Sequence, residues 1–186
     1  AIHTGRAAVQ IVHNDHRVTG VKDAQGTTHK ADLVVSNADL HPTYRKLLPD
    51  LKAPEKILGQ ERSTSGIIFY WGVRGHHPQL GLHNILFSED YKAEFQHIQD
   101  RGTPGPDPTV YINITSKELP EDAPEGHENW FVLMNVKADP DLWTDDAVEK
   151  LKAEVLDKVK RTLGTCPDIV CEQVLRPQDI EGLTGS

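Results

Sequence analysis

The stretch Gly66-Ile67-Ile68-Phe69-Tyr70-Trp71-Gly72-Val73 decides the fold, together with its later counterpart Trp130-Phe131-Val132-Leu133-Met134-Asn135-Val136. Both are dense in β-branched and aromatic residues, which suit a pleated, half-buried strand. Two more such runs, His83 to Phe87 and Thr109 to Thr115, lie between them, and Asp168 to Leu175 follows. A helix is predicted over Asp90 to Gln99. A longer one is predicted over Asp145 to Leu163, where Val148, Leu151, Val155, Val159 and Leu163 step by three or four residues along one face. Thr144 is placed to cap its start, Asp145 and Asp146 suit the positive end of its dipole, and Gly164 is placed to end it. Glu154 and Lys158 stand four apart as a favourable pair. Strands in runs with helices set apart predict an α+β class, an antiparallel sheet with flanking helices, beginning near residue 60.

Upstream, Ala7 to Val12 and Arg17 to Lys22 alternate apolar and polar residues about a turn at Asn14-Asp15. Gln25-Gly26 offers a second turn, and Thr27 to Lys30 returns as a third strand of a meander. Ala31-Asp32-Leu33-Val34-Val35 reads as a short strand buried on both faces. Short helices are predicted over Pro42 to Leu48 and Pro54 to Glu61, each with proline near its first turn.

Composition narrows the function. The 186 residues hold 20 Lys and Arg against 28 Asp and Glu, a net charge of −8, which argues against a nucleic-acid partner. Mean hydropathy is −0.49, and no apolar run reaches the roughly 18 residues of a transmembrane helix. The first residues lack the basic-then-apolar order of a signal peptide, so a cytoplasmic location is expected. Cys166 and Cys171 form no CxxC motif and are read as a loop thiol and a buried strand thiol.

Candidate chemistry is sparse. His76, His77 and His83 are the densest histidine group, yet no ligand spacing supports them, and no metal site is expected. Asn113-Ile114-Thr115 matches a glycosylation sequon but falls in a strand. The acidic residues Glu118, Glu121, Asp122, Glu125 and Glu128 are read as a solvated loop. Phe69, Tyr70, Trp71, Tyr111, Trp130 and Phe131 are either core or the lining of an apolar cavity. Composition and spacing thus give a soluble α+β domain with an aromatic interior and no self-contained active site.

Several segments, in order, resemble the bacterial phytoene desaturase (phytoene dehydrogenase) family of flavin-dependent carotenoid desaturases. They include Ala31 to Asp39, Phe69 to Val73, His83 to Tyr91, Tyr111 to Lys117, Ala123 to Gly126, Asn129 to Leu133 and Pro177 to Glu181. Complete members carry a GxGxxG turn whose glycines let the FAD pyrophosphate approach a helix N-terminus. That turn is not in this sequence, so the resemblance implies an internal fragment. Residues 1–60 would be a partial FAD-binding segment, with its β-meander, return strand and connector. Residues 61–186 would be a substrate-binding domain truncated at its C-terminus.

The resemblance also implies site residues. Val9, on a strand of the meander, and Ser36, Asn37 and Ala38, at the end of the return strand, would lie near FAD. Phe69, Trp71 and Trp130 would be walls for a hydrophobic polyene, although strand alternation lets only some of them face it. The implied reaction removes two hydrogens from a C–C single bond of the polyene. No residue is assigned as general acid or base, and peripheral contact with a membrane is implied by a lipid-borne substrate. The isolated fragment is expected not to retain FAD and to be inactive alone. Two alternatives remain: a free-standing module that binds an apolar ligand without catalysis, and a related flavoprotein acting on another isoprenoid.

Overall fold

A computed structural model of the chain describes residues 1–15 and 17–184. It divides into two compact units, one formed by Ala1–Glu61 with the last few residues from Gly182, the other by Arg62–Glu181.

The first unit holds a three-stranded antiparallel meander, β1 (Ala8–Asn14), β2 (Arg17–Asp23) and β3 (Thr28–Lys30), in the order β1-β2-β3. Asp23 fastens the β2–β3 turn. Its buried carboxylate accepts from the backbone N–H of Gln25 and Thr27, from Arg6 and from the His29 ring. Among the described strand residues of this unit, Ile11 is the one apolar side chain that is buried. A helical turn α1 (Leu40–Pro42), capped by Asp39, runs into a wider turn at Thr43–Leu47 that lies against β1. A second short helix, α2 (Glu55–Leu58), follows.

The structure overturns one expectation here. Ala31 to Val35 is not a strand, and Leu33 and Val35 are 79% and 85% exposed. An apolar run of this kind is buried when sheet neighbours and layers on both faces cover it. Among the described residues no strand pairs with it.

The second unit is built on a five-stranded antiparallel sheet in the order β5-β6-β7-β4-β8. Its strands are β4 (Ser65–Arg74), β5 (His83–Leu86), β6 (Val110–Asn113), β7 (His127–Val136) and β8 (Asp168–Leu175). The decisive stretch forms the heart of it: β4 pairs with β7 along its whole length, Trp71 opposite Trp130 and Phe69 opposite Val132. One face of these strands is closed by α4 (Asp145–Leu163). Val148, Leu151, Val155 and Val159 pack there on Ile67, Phe69, Trp71, Ile112, Trp130, Val132 and Met134.

The α4 caps are the expected ones. Thr144 accepts from the Ala147 N–H, and Gly164 closes the helix in the left-handed region at φ 79°. Lys158, however, does not pair with Glu154. It is buried and reaches Asp107 at 3.0 Å, and Asp107 also takes Arg161 and the Glu89 N–H. The loop after α3 (Tyr91–Arg101) is thereby tied to α4, and Glu94 of α3 holds Thr109 through two hydrogen bonds of 2.7 and 2.6 Å. A last helix, α5 (Pro177–Thr184), follows β8. Both cysteines are free and exposed, so Cys171 is not the buried thiol expected. At its place on β8 the side chain faces away from α4.

Candidate functional site

The other face of the five-stranded sheet stays open. Strand alternation puts Ile68, Tyr70 and Gly72 of β4 on this face, with Asn129, Phe131 and Leu133 of β7 beside them. The register arranges it in rows across the sheet. One row runs Leu175, Ile68, Leu133, Tyr111, Ile85. The next runs Gln173, Tyr70, Phe131, Asn113. A third runs Cys171, Gly72, Asn129. Tyr70 and Phe131 meet edge to face at 5.5 Å, and Tyr111 meets Phe131 at 6.1 Å. Tyr70 and Ile85 remain 41% and 52% exposed, with Ile68, Tyr111, Phe131 and Leu133 half-buried beside them.

Over the third row this face deepens into a pocket of about 760 Å³. Gly72 supplies the depression, because it has no side chain between Cys171 and Asn129. A Cβ built there would lie 2.5 Å from the Cys171 Sγ. Tyr70, Phe131 and Val170 form apolar walls, and the segment from Thr115 to Pro124 closes one side.

Two consecutive residues of β7 hold that segment from opposite faces of the strand. Glu128, buried on the inner side, accepts from Lys117 Nζ at 2.5 Å, from the His77 backbone N–H at 3.0 Å, from the Trp130 indole at 2.9 Å, and bonds the His77 ring at 2.9 Å. Lys117 also donates to the His77 carbonyl. Burial pushes the Glu128 carboxyl up, but Lys117, the His77 N–H, the Trp130 indole and the His77 ring together hold it down at about 2. Asn129, on the open side, accepts from the Ser116 N–H at 2.9 Å and donates to Thr115 Oγ1 at 2.6 Å.

Glu128 is therefore not part of a solvated acidic loop. β7 begins at His127, three residues before the expected start, and Glu128 falls in phase with Trp130, Val132, Met134 and Val136. That alternation was the signal available in the sequence.

The expected site residues fall in several places. Phe69, Trp71 and Trp130 all point inward and are fully buried, Phe69 stacked on Trp71 at 5.4 Å. Trp71 and Trp130 border the pocket, and Phe69 does not. The Trp71 indole donates to Glu172 at 2.6 Å, and Glu172 also holds Lys152. The residues that stand open are their neighbours in sequence, Tyr70 and Phe131. His77 and His83 belong to two different networks, the second with Tyr111 and Asn113.

In the first unit Val9 lies at a bulge of β1, an edge strand, where the pairing with β2 skips a residue, and its side chain is half exposed. Ser36 shares a hydrogen bond with Thr43, which also donates to the Ala38 carbonyl, so this turn is stitched to Thr43. Asn37 is exposed. A dinucleotide's pyrophosphate needs a glycine-rich turn before a helix, and no GxGxxG occurs in the sequence. No helix among the described residues is long and apolar enough to cross a membrane.

No family model matches the chain. A 1-hydroxycarotenoid 3,4-desaturase from a Flavobacterium species is 53% identical over 179 residues, 95% of this chain and 36% of that protein. A 4,4'-diaponeurosporene oxygenase from Staphylococcus haemolyticus is 35% identical over 100% of this chain and 38% of that protein. The chain thus spans little more than a third of the length of these curated relatives. Among solved structures, an oxidoreductase from Methanosarcina mazei superposes with a TM-score of 0.58 at 19% identity, covering 94% of this chain and 37% of that one. A protein from Pyrococcus furiosus gives 0.57, also at 19% identity. At that identity the likeness shows the fold.

Proposed function

We propose, from the premise that this chain belongs to the carotenoid desaturase family, that it forms part of an oxidoreductase that removes two hydrogens from a C–C bond of a polyene. In this reading residues 61–186 supply the apolar substrate site and residues 1–60 supply part of an FAD-binding domain. The observation that carries it is the uncovered apolar face of the five-stranded sheet, with its pocket over Gly72, in a chain 53% identical to a carotenoid desaturase.

The chemistry of the substrate favours such a surface. A long hydrocarbon offers almost nothing to hydrogen-bond, so binding rests on apolar burial at about 25 cal/mol per Å² and on shape. Ile68, Leu133, Tyr111, Tyr70 and Phe131 provide that burial on one side, and the closed α4 layer beneath keeps them rigid. The face would orient the polyene and exclude water from the reacting bond. Val9 and the Ser36–Ala38 turn would lie along FAD, which when bound supplies the acceptor for a hydride, the second hydrogen being lost as a proton. Trp71 and Trp130 would border the pocket through their backbone, their indoles being turned to the core.

The reading is tested on the complete protein to which this stretch belongs, supplied with an acyclic carotenoid and flavin. Lengthening of the conjugated system should shift the visible absorbance of the substrate to longer wavelength. A flavin-loaded protein that binds no polyene and leaves the spectrum unchanged would overturn it. The 186-residue chain alone should lose FAD on gel filtration, because the sequence has no phosphate turn; FAD retained in stoichiometric amount would contradict the division of roles.

A further inference from the structure

At the β5–β6 side of the open face three polar groups meet. His83 and Ile85 of β5 alternate to this face, as Tyr111 and Asn113 of β6 do, and the register sets His83 opposite Asn113 and Ile85 opposite Tyr111. Tyr111 keeps its ring in the apolar row, opposite Leu133 and edge-on to Phe131, while its hydroxyl reaches His83 Nδ1 at 2.8 Å.

The hydrogen positions follow from the acceptors. A backbone carbonyl can only accept, so the Asn113 side-chain atom 3.1 Å from the Leu82 carbonyl is the amide nitrogen. Its second hydrogen is left for His83 Nδ1, also 3.1 Å away. Nδ1 is thereby held as an acceptor, the ring carries its proton on Nε2, and the Tyr111 hydroxyl donates to Nδ1. Among the described residues Tyr111 and Asn113 are the ring's only hydrogen-bond partners, and no charged side chain pairs with it. His83 is exposed, so a proton that it collects can pass to water. A phenol whose hydrogen already points at an imidazole lone pair can accept a second proton on oxygen while handing on its own.

Resting on the reading of the open face as the substrate site, we propose that Tyr111, backed by His83, takes up the proton lost in the dehydrogenation. One hydrogen of the polyene leaves as hydride to the flavin, which puts positive charge on the chain and makes the C–H of the adjoining carbon acidic. That second bond breaks, and its electron pair becomes the π bond of the new C=C. The proton passes to Tyr111 Oη as the phenol proton moves to His83 Nδ1. The imidazolium so formed loses one proton to water, which balances the step. Tyr111 is on this account a catalytic residue, and His83 acts through it.

The test uses the complete flavin-loaded protein converting an acyclic carotenoid, with kcat and KM followed from about pH 5 to 9. Histidine ordinarily changes charge between about pH 5 and 8, and a protonated ring has no lone pair for the phenol hydrogen, so kcat should fall on the acid side. Tyr111→Phe keeps the ring in its row and should lower kcat about a hundredfold with KM near the parent value. His83→Gln leaves Tyr111 an acceptor that takes up no proton in this range; it should lower kcat similarly and abolish the fall on the acid side. A readout independent of turnover is the ring-nitrogen resonances of His83 in the 186-residue chain, which should report the Nε2–H tautomer. A kcat within about twofold of the parent in Tyr111→Phe, an acid-side fall that persists in folded His83→Gln, or an Nδ1–H tautomer overturns this inference and leaves the apolar face standing as a binding surface. A flavin-loaded parent that binds no polyene overturns the substrate reading and this inference with it.

Discussion

On the inner face of the five-stranded sheet Phe69, Trp71 and Trp130 are sealed beneath α4, while one residue further along the same strands Tyr70 and Phe131 stand open over a pocket. The residue types are nearly the same on both sides. What separates them is phase: an alternating strand sends adjacent aromatics to opposite faces, and only one face has a helix to cover it. Aromatic content therefore marks both the core and the candidate site, and parity along β4 and β7 tells them apart.

The comparison breaks most visibly under truncation. Trp71→Ala or Trp130→Ala should destabilise the second unit by about 3–5 kcal/mol, since each leaves a large cavity in a closed core. Phe131→Ala should cost well under half of that, with its loss appearing in affinity for an apolar ligand. Urea unfolding followed by far-UV circular dichroism checks both. A similar loss of stability from the inner and outer substitutions would contradict the division into a structural and a binding face.

Glu128 tests the inner face by charge. Its carboxyl sits at about 2 against an ordinary 4.5, so it contributes stability that is complete above pH 4.5 and lost as pH falls from there toward 2. The difference corresponds to about 3 kcal/mol at neutral pH. Glu128→Gln should therefore lower stability at pH 7 by about that amount and flatten its fall with acid. Asp23 in the first unit is also held at about 2, chiefly by the His29 hydrogen bond, and loses its contribution over the same range of pH. Acid melts of the Glu128→Gln variant monitored by tryptophan emission separate the two, because all three tryptophans lie in the second unit.

A smaller effect is expected on the open face at Gly72. A methyl group there meets the Cys171 sulfur at 2.5 Å, so Gly72→Ala should cost about 1–3 kcal/mol through overpacking and shrink the pocket. Replacing Cys171 by glycine in the same chain should return most of the stability while the pocket stays partly filled. Loss of stability without recovery in the double variant would place the constraint elsewhere.

Much of the second unit was legible in the sequence. The helix Asp145–Leu163 and the strand Asp168–Leu175 lie where periodicity puts them, because their apolar faces meet a partner within this chain. Ala31–Val35 departs from its pattern for the opposite reason: the pattern states what the segment would bury, and among the described residues nothing covers Leu33 and Val35. Spacing alone matches Lys158 with Glu154, whereas in the fold it is buried and reaches Asp107 across a loop. The candidate site was half legible. Its aromatic composition was evident, but Asn129 and Thr115 gained meaning only from a register that brings a strand and the preceding loop together. Read by charge, Glu128 belongs to a solvated loop; its parity with Trp130 on β7 is the signal that reading passes over.

If the proposed substrate site is right, a polyene meets the open face of the sheet and not the aromatic core beneath it. Steady-state conversion of an acyclic carotenoid by the complete, flavin-loaded protein tests it most directly, comparing Phe131→Ala on the open face with Val132→Ala one residue away on the inner face. The account predicts a KM raised about tenfold or more by Phe131→Ala in a protein of nearly unchanged stability, and by Val132→Ala a lower melting temperature with KM near the parent value. An unchanged KM in Phe131→Ala, with the protein folded and flavin bound, would contradict it.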